Sequence, residues 1–405
     1  MPPAPKTYWF HFKYWGAIIP IAIIASFLYK TILILGIFNE IKDFNTESCE
    51  KIIGPKDFMN CEDIILSDEP GVIYASCDPV RSYYNSITGV NKLVPGQPVE
   101  NGAIWKVDYN QQPADLKKLD MSPLQDYHPL GISLYIDPVS GEKTLLTINL
   151  PHNGFPSVEI FTVQQDELVH KRTIRHPELY SPNSVHILQD DRFRSQDGTP
   201  SFFFSNDHYY SSPLLKQAET FLFPKTNVMF YNARTDQTQK VIDRLAFSNG
   251  VAGTDDVLFV SETSAGKVRQ YKINRKTDEQ GLPYVSLDFE RETRVNGSPD
   301  NLHYYPEKEI LAIATHPKPI EFFKMTAAPD INKAPKSPSE IDIWDISTGE
   351  TRMILQDDGS LYGTSSTLQD DGSLYGTSST GIIDIKHSKL IVSGVFEEGV
   401  LVCDL

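Results

Sequence analysis

Two patterns of apolar residues divide this chain. From Trp15 to Phe38 the residues are almost wholly apolar, broken only by Pro20, Ser26, Lys30 and Thr31. A run of that length matches the hydrocarbon thickness of a bilayer. From Cys49 onward the apolar residues come in short or alternating runs, separated by Gly, Pro, Asn and Asp. Gly71–Ala75, Ile132–Ile136, Thr144–Leu150, Val158–Val163, Ser201–Ser205, Val257–Ser261, Ile310–Ala314 and Lys389–Val395 are typical. Their lengths, their β-branched and aromatic content and turns such as Asp137-Pro138-Val139-Ser140-Gly141 predict strands throughout, hence an all-β fold. Strands grouped in threes and fours at a coarse repeat predict propeller blades, since a sandwich seldom needs so many. One helix stands apart. Ser212 can cap it, Pro213 suits its first position, and Leu214, Leu215, Ala218, Phe221 and Leu222 recur near helical spacing. It is expected as a small helix on the rim, serving as packing or as a lid over a pocket.

The flanks of the apolar run set its expected topology. Lys6 and Lys13 precede it, and Glu40 and Asp43 follow it. The positive-inside rule then makes 1–14 a cytoplasmic tail and 15–38 a transmembrane signal anchor, with 39–48 a linker and 49–405 facing the lumen or the exterior. A cleaved signal peptide is the rival, but the run is long for one and no small-x-small cleavage site follows it. Late in the chain, Leu355–Thr367 recurs without a mismatch as Leu368–Thr380. One copy is expected to occupy a loop and strand and the other to bulge out.

Charge narrows the partners. With 53 acidic against 37 basic residues the net charge is −16, which repels a phosphate backbone, so no nucleic-acid partner is expected. Four cysteines, Cys49, Cys61, Cys77 and Cys403, show no Cys-x-x-Cys spacing and so give no support to a zinc ribbon or a thioredoxin-type site. A Cys49–Cys403 bond would tie the first strand to the last and would require an oxidising compartment. Four free buried thiols are the alternative, and pairing of Cys61 with Cys77 stays open.

The candidate chemistry lies at strand entrances. Val295 to His303 reads Val-Asn-Gly-Ser-Pro-Asp-Asn-Leu-His, placing the Asp300 carboxylate beside the Asn301 amide on a short, stiff segment. Asn249 in Ser-Asn-Gly, Asn183 in Pro-Asn-Ser and Glu62 in Glu-Asp-Ile-Ile hold matching places elsewhere. Hard oxygens from several segments suit calcium. The plainer reading of each is a turn former bonded to its own backbone. Asn296-Gly297-Ser298 is the one Asn-x-Ser/Thr sequon, a glycosylation site if the domain is lumenal.

Several motifs occur together and in order: Lys171-Arg172-Thr173-Ile174-Arg175-His176, Ser205-Asn206-Asp207-His208-Tyr209-Tyr210, Phe247-Ser248-Asn249-Gly250, Asp300-Asn301, His316-Pro317 and Cys403-Asp404-Leu405. On these, the chain from about Cys49 to Leu405 resembles the paraoxonase/arylesterase family of calcium-dependent lactonases and arylesterases. The resemblance implies a six-bladed propeller, a Cys49–Cys403 disulfide, and a catalytic calcium held by Glu62, Asn183, Asn249, Asp300 and Asn301. It implies a small-molecule ester or lactone as substrate. A second, structural calcium would use Asp63, the Ile132 carbonyl and the position of Ser184, where a neutral hydroxyl replaces the family's acid and weakens the site.

The sequence also departs from the family where a histidine pair is expected. Those positions read Leu130-Gly131-Ile132-Ser133 and Asn149-Leu150-Pro151. His128 and His152 lie two residues away, about 6.5 Å along a strand and on the same face. Together with His208 and His316 they are the candidate bases. Two readings follow: a calcium-dependent ester or lactone hydrolase, weakened by the two leucines, or a catalytically silenced propeller, stabilised by calcium and serving protein binding. A different calcium-propeller hydrolase, such as a gluconolactonase, would share the metal and differ in pocket shape.

Overall fold

The computed structural model describes the chain except residues 1–6, 95, 97–98, 122, 165–166, 223 and 358–374. Six four-stranded antiparallel sheets form the blades of a propeller. Four are built from consecutive strands, the first blade carries a small hairpin (Tyr84–Asn85 with Val90–Asn91) between its second and third strands, and the sixth joins Cys49–Ile52 to the three strands Ser378–Asp384, Lys389–Gly394 and Val400–Asp404. That outer strand pairs Cys49 with Cys403 in register, and the two are disulfide-bonded. A second disulfide joins Cys61 to Cys77 in the first blade. Both pairs place the domain in an oxidising compartment.

The core lies between neighbouring blades. Phe202, Phe203 and Phe204 show why strands here are apolar on both faces. Phe202 and Phe204 join one core cluster with Leu146 and Ile148 of the preceding blade, whereas Phe203 joins another with Leu258 and Val260 of the following one. All three are fully buried. Each sheet is sandwiched between two others, so its middle strands lose the polar face that an isolated sheet would keep.

The innermost strands line the central tunnel, and each breaks register at the same level. The shifts fall between Cys61 and Asp63, Pro129 and Ile132, Pro182 and Val185, Ser248 and Val251, Pro299 and Leu302, and Ser378 and Thr380. A bulge re-aims the side chains it contains. Here they contain Glu62, Leu130, Asn183, Asn249, Asp300 with Asn301, and Ser379. The strands also approach closely at this level. A Cβ on Gly131 would lie 2.5 Å from the Asn183 carbonyl oxygen, and one on Gly250 would lie 2.6 Å from that of Asp300. Only glycine admits such contacts.

Among the described residues three α-helices decorate the propeller: α1 (Thr7–Ile34), α2 (Pro213–Leu222) and α3 (Pro319–Ala327). The helix expected at Ser212–Leu222 is α2; α3 was not anticipated. Among the described residues no helix is long and apolar enough to cross a membrane. Moreover, the end of the segment belongs to the propeller. The chain turns at Gly36 (φ +59°), where a Cβ would collide with the Pro317 carbonyl, and Asn39 Nδ2 donates to that same oxygen at 2.9 Å. The expected linker is docked too, since Phe44 bridges to Gln356 on the outer strand of the fifth blade.

The tandem copies divide between two blades. The head of the first copy, Leu355 to Asp357, ends one strand, and the tail of the second, Ser378 to Thr380, begins the next. The expected bulge falls at 358–374, outside the described residues.

Beside the docked linker, Glu340 and Asp342 share one face of strand Ser339–Asp345. Both are buried, in a crevice that also holds Lys42, Asp43, Arg294 and Gln356. Gln356 donates to Glu340, and Thr315 Oγ1 donates to Asp342 at 2.9 Å. Burial, with the Asp342 charge adding to it, pushes Glu340 up to about 8, and burial pushes Asp342 up to about 6. Acids with raised folded-state pKa values bind protons more tightly folded than unfolded, so they cost stability as pH rises. Thermal stability should therefore fall between about pH 4 and about pH 8. Glu340→Gln should flatten that slope and add roughly 1–3 kcal/mol at pH 8. Thermal melts of both proteins across this range check it, and parallel slopes would count against the assignment.

Candidate functional site

The tunnel opens into a cavity of about 1020 Å³, with Glu62, Asn183, Asn249 and Asp300 in its wall. These residues and Asn301 come from four blades, yet all are nearly inaccessible. Their unused atoms are the informative feature. Glu62 Oε2, Asn183 Oδ1, Asn249 Oδ1 and Asn301 Oδ1 are buried oxygens with no hydrogen-bond partner among the described residues. The amide orientations are set from behind. Asn183 Nδ2 donates to Asp207 Oδ2 at 3.1 Å, and Asn301 Nδ2 donates to Glu62 Oε1 at 3.0 Å and to Thr380 Oγ1 at 3.1 Å. The carbonyl ends are therefore left over.

An unsatisfied buried acceptor costs about 1–3 kcal/mol, so four in one cluster call for a common partner. Two carboxylates and three amides fit a hard divalent cation. No three His, Cys, Asp or Glu side chains among the described residues form such a group by themselves; the amides complete this one. Electrostatics points the same way. Burial, reinforced by the charges of Asp63 and Asp300, pushes the Glu62 carboxyl well above the ordinary range, and a cation here would reverse that push.

The second group of donors is differently employed. Asp63 Oδ2 accepts from the Ile132 amide at 2.9 Å, and Oδ1 accepts from the Ile64 amide and Thr380 Oγ1, both at 2.9 Å. Burial raises this carboxyl to about 7 against those bonds. Ser184 Oγ accepts from the Val251 amide at 3.1 Å. The protein itself occupies Asp63 and Ser184.

The arylesterase family model matches residues 82–380. The chain belongs to the arylesterase family. It is 26% identical to the serum paraoxonase/arylesterase 1 of Mus musculus over 326 residues, covering 78% of this chain and 80% of the mouse protein. It is 27% identical to the serum paraoxonase/lactonase 3 of Homo sapiens over 331 residues, with the same coverage. Glu62, in the first blade, and Cys403, in the closing blade, lie outside the matched span.

The four candidate histidines separate into two groups. His208 and His316 line the cavity; His128 and His152 do not. His128 is buried between Asp78 (Nδ1···Oδ2 3.2 Å) and Asp126 (Nε2···Oδ1 3.2 Å). Burial pulls its pKa down most strongly, but Asp78 and Asp126 together outweigh it and hold the imidazole above its usual value. That suits a cation better than a base. His152 is half-buried, edge-on to Tyr84 at 4.8 Å. Leu130 lines the cavity, while Leu150 packs into the core beside it.

His208 has no free nitrogen. Its Nδ1 meets Asp207 Oδ1 at 2.9 Å, and its Nε2 meets Thr220 Oγ1 at 3.0 Å. The Thr220 hydroxyl donates to the Lys216 carbonyl at 2.9 Å, so it can only accept from the ring. Burial raises Asp207 most, yet the His208 charge and hydrogen bonds from His208 and Ser181 hold it below the usual carboxylate range. His316 differs. Its Nε2 lies 3.0 Å from Asp300 Oδ2, its ring packs on Phe322 at 4.6 Å, and its buried Nδ1 has no partner among the described residues.

The sequence reading passed over Arg81, which is buried, lines the cavity and acts electrostatically on Glu62. No local pattern marks it out. The sequon residue Asn296 is exposed, although Gly297 and Ser298 beside it are buried.

Proposed function

We propose that this member of the arylesterase family is a calcium-dependent hydrolase of carboxylic esters or lactones. The cluster of four buried, unpartnered oxygens supports it most directly. Glu62, Asn183, Asn249, Asp300 and Asn301 would hold the ion. Bound there, calcium would supply positive charge beside a substrate carbonyl oxygen. His316 takes the proton of the attacking water at Nδ1, while Asp300 orients the ring through Nε2. Water adds to the carbonyl carbon, the carbon–oxygen bond of the ester or lactone breaks, and the proton passes from His316 to the leaving alkoxide. Leu130 gives the wall an apolar group where it lines the cavity, and His128 does not reach the cavity. Membrane association rests on α1, which leaves Ile18, Ile19, Ile21, Ile23, Ile24 and Leu28 exposed.

The full chain should hydrolyse phenyl acetate or members of an aliphatic lactone panel with calcium and stop after chelation. Calorimetric titration of the chelated protein should find one tight site, because Asp63 and Ser184 are already engaged. Calcium-dependent stability without turnover would instead favour the silenced propeller. Two equally tight sites would contradict the single-ion assignment.

A further inference from the structure

The charges around the cavity run against those of the chain. In a protein of net charge −16, the cavity wall carries Arg81, Lys92, Lys216 and Lys324, with Glu62 and Asp300 as its only carboxylates among the described residues. Among the described residues none of the four cations forms an ion pair. Lys92 and Lys216 donate to backbone carbonyls, at Thr326 and Ser86, which orders them without neutralising them. Arg81 is the deepest, at 4% exposure. Its Nε donates to the Asn60 carbonyl at 3.3 Å and its Nη2 to the Pro129 carbonyl at 2.5 Å.

A buried guanidinium without a counter-ion is costly unless something pairs with it. Glu62 and Asp300 do not discharge that role if they serve a divalent ion, which balances their two charges. Arg81 then stands uncompensated at depth, with the three lysines around it, in a wall that is otherwise largely apolar, including Ile87, Leu130, Leu214, Phe247 and Phe322. Resting on the esterase reading above, we propose that the preferred substrate is an ester or lactone whose apolar acyl part carries an anionic group, received by Arg81. The lysines draw that anion in at the rim, and the planar guanidinium fixes it at depth.

The test compares two esters that release the same chromophore: mono(4-nitrophenyl) adipate, which is anionic, and 4-nitrophenyl hexanoate, which is neutral. The full chain with calcium should favour the anionic ester by at least about tenfold in kcat/KM at low salt, and added salt should erode the preference. Arg81→Gln should abolish most of it, and Arg81→Lys should retain part. Equal rates on the two esters, or an equal loss on both in Arg81→Gln, would overturn the proposal. Calorimetric binding of the corresponding anilides, which this chemistry does not cleave, separates the two layers of inference. Binding of adipic acid monoanilide that depends on Arg81, without hydrolysis of either ester, upholds the anion site and rejects the esterase reading. Equal affinity for hexananilide rejects the anion site itself.

Discussion

Asp300→Asn should weaken calcium binding by at least about 100-fold and reduce ester hydrolysis by a similar or larger factor. The substitution keeps the size and shape of the side chain. It removes one of the two carboxylates in the cluster, so a divalent ion is left with one counter-charge among neutral amides. It also changes the group facing His316, whose Nε2 lies 3.0 Å from Asp300 Oδ2, and so disturbs both the ion and the base. Asp63→Asn is the informative contrast. Asp63 lies one residue from Glu62, yet its oxygens are taken up by the Ile132 and Ile64 amides and Thr380. It should lower stability and leave calcium affinity within a few-fold. Calorimetry and phenyl acetate turnover on both variants decide the matter. If Asp300→Asn binds calcium as the parent does, the cluster is not the ion's site.

Replacing Cys49 and Cys403 together by alanine should cost about 2–5 kcal/mol of stability. The bond closes a loop of 354 residues, for which the chain-entropy estimate is about 5–6 kcal/mol. It also holds the shortest strand of the closing blade. Cys49–Ile52 is only half-buried at best and pairs with a single neighbour, so little else keeps it in place. Cys403 is buried, so its replacement also leaves a small void. The Cys61–Cys77 bond spans 16 residues and should contribute less, about 3 kcal/mol. Thermal and denaturant unfolding of the paired variants measures both. An unchanged midpoint in the Cys49/Cys403 variant would show that the blade closes without its clasp.

Together these two variants test different consequences of one geometry. The ring must close for the tunnel to have a fixed width, and the tunnel must be fixed for oxygens from four blades to converge. A loss of calcium affinity in the disulfide variant, with the ligands intact, would measure that link directly.

Much of the fold could be read from local pattern. The middle strands of the blades are short, β-branched and aromatic, because each is pressed between two sheets and must be apolar on both faces; Phe202 to Phe204 is the plainest instance. Ser212 and Pro213 marked α2 in the same local way. The outer strands were harder to see. Asp115–Lys118 and Gln237–Leu245 are largely polar, because one face of an outer strand meets water and its hydrogen bonds to a neighbour leave no trace in composition. The oxygen donors were also legible, as Asx and Glu residues standing before apolar runs, and so was the resemblance that grouped them.

What the sequence could not supply was convergence and direction. Six register breaks at one level of the tunnel turn Glu62, Asn183, Asn249, Asp300 and Asn301 toward a common point, and a bulge is a property of paired strands, not of either strand alone. The same holds for the histidines. His128 and His316 look alike in the chain, but tertiary contacts enclose one between Asp78 and Asp126 and leave the other with a free nitrogen in a buried wall. Arg81 is an ordinary arginine until folding removes its water and withholds a counter-ion. The apolar run after Trp15 has the composition of a membrane span, yet its last residues turn at Gly36 and dock on Pro317. Local propensity fixes which residues can be strand, helix or turn; only the closed ring decides which of them share a space, since that depends on distances between segments hundreds of residues apart.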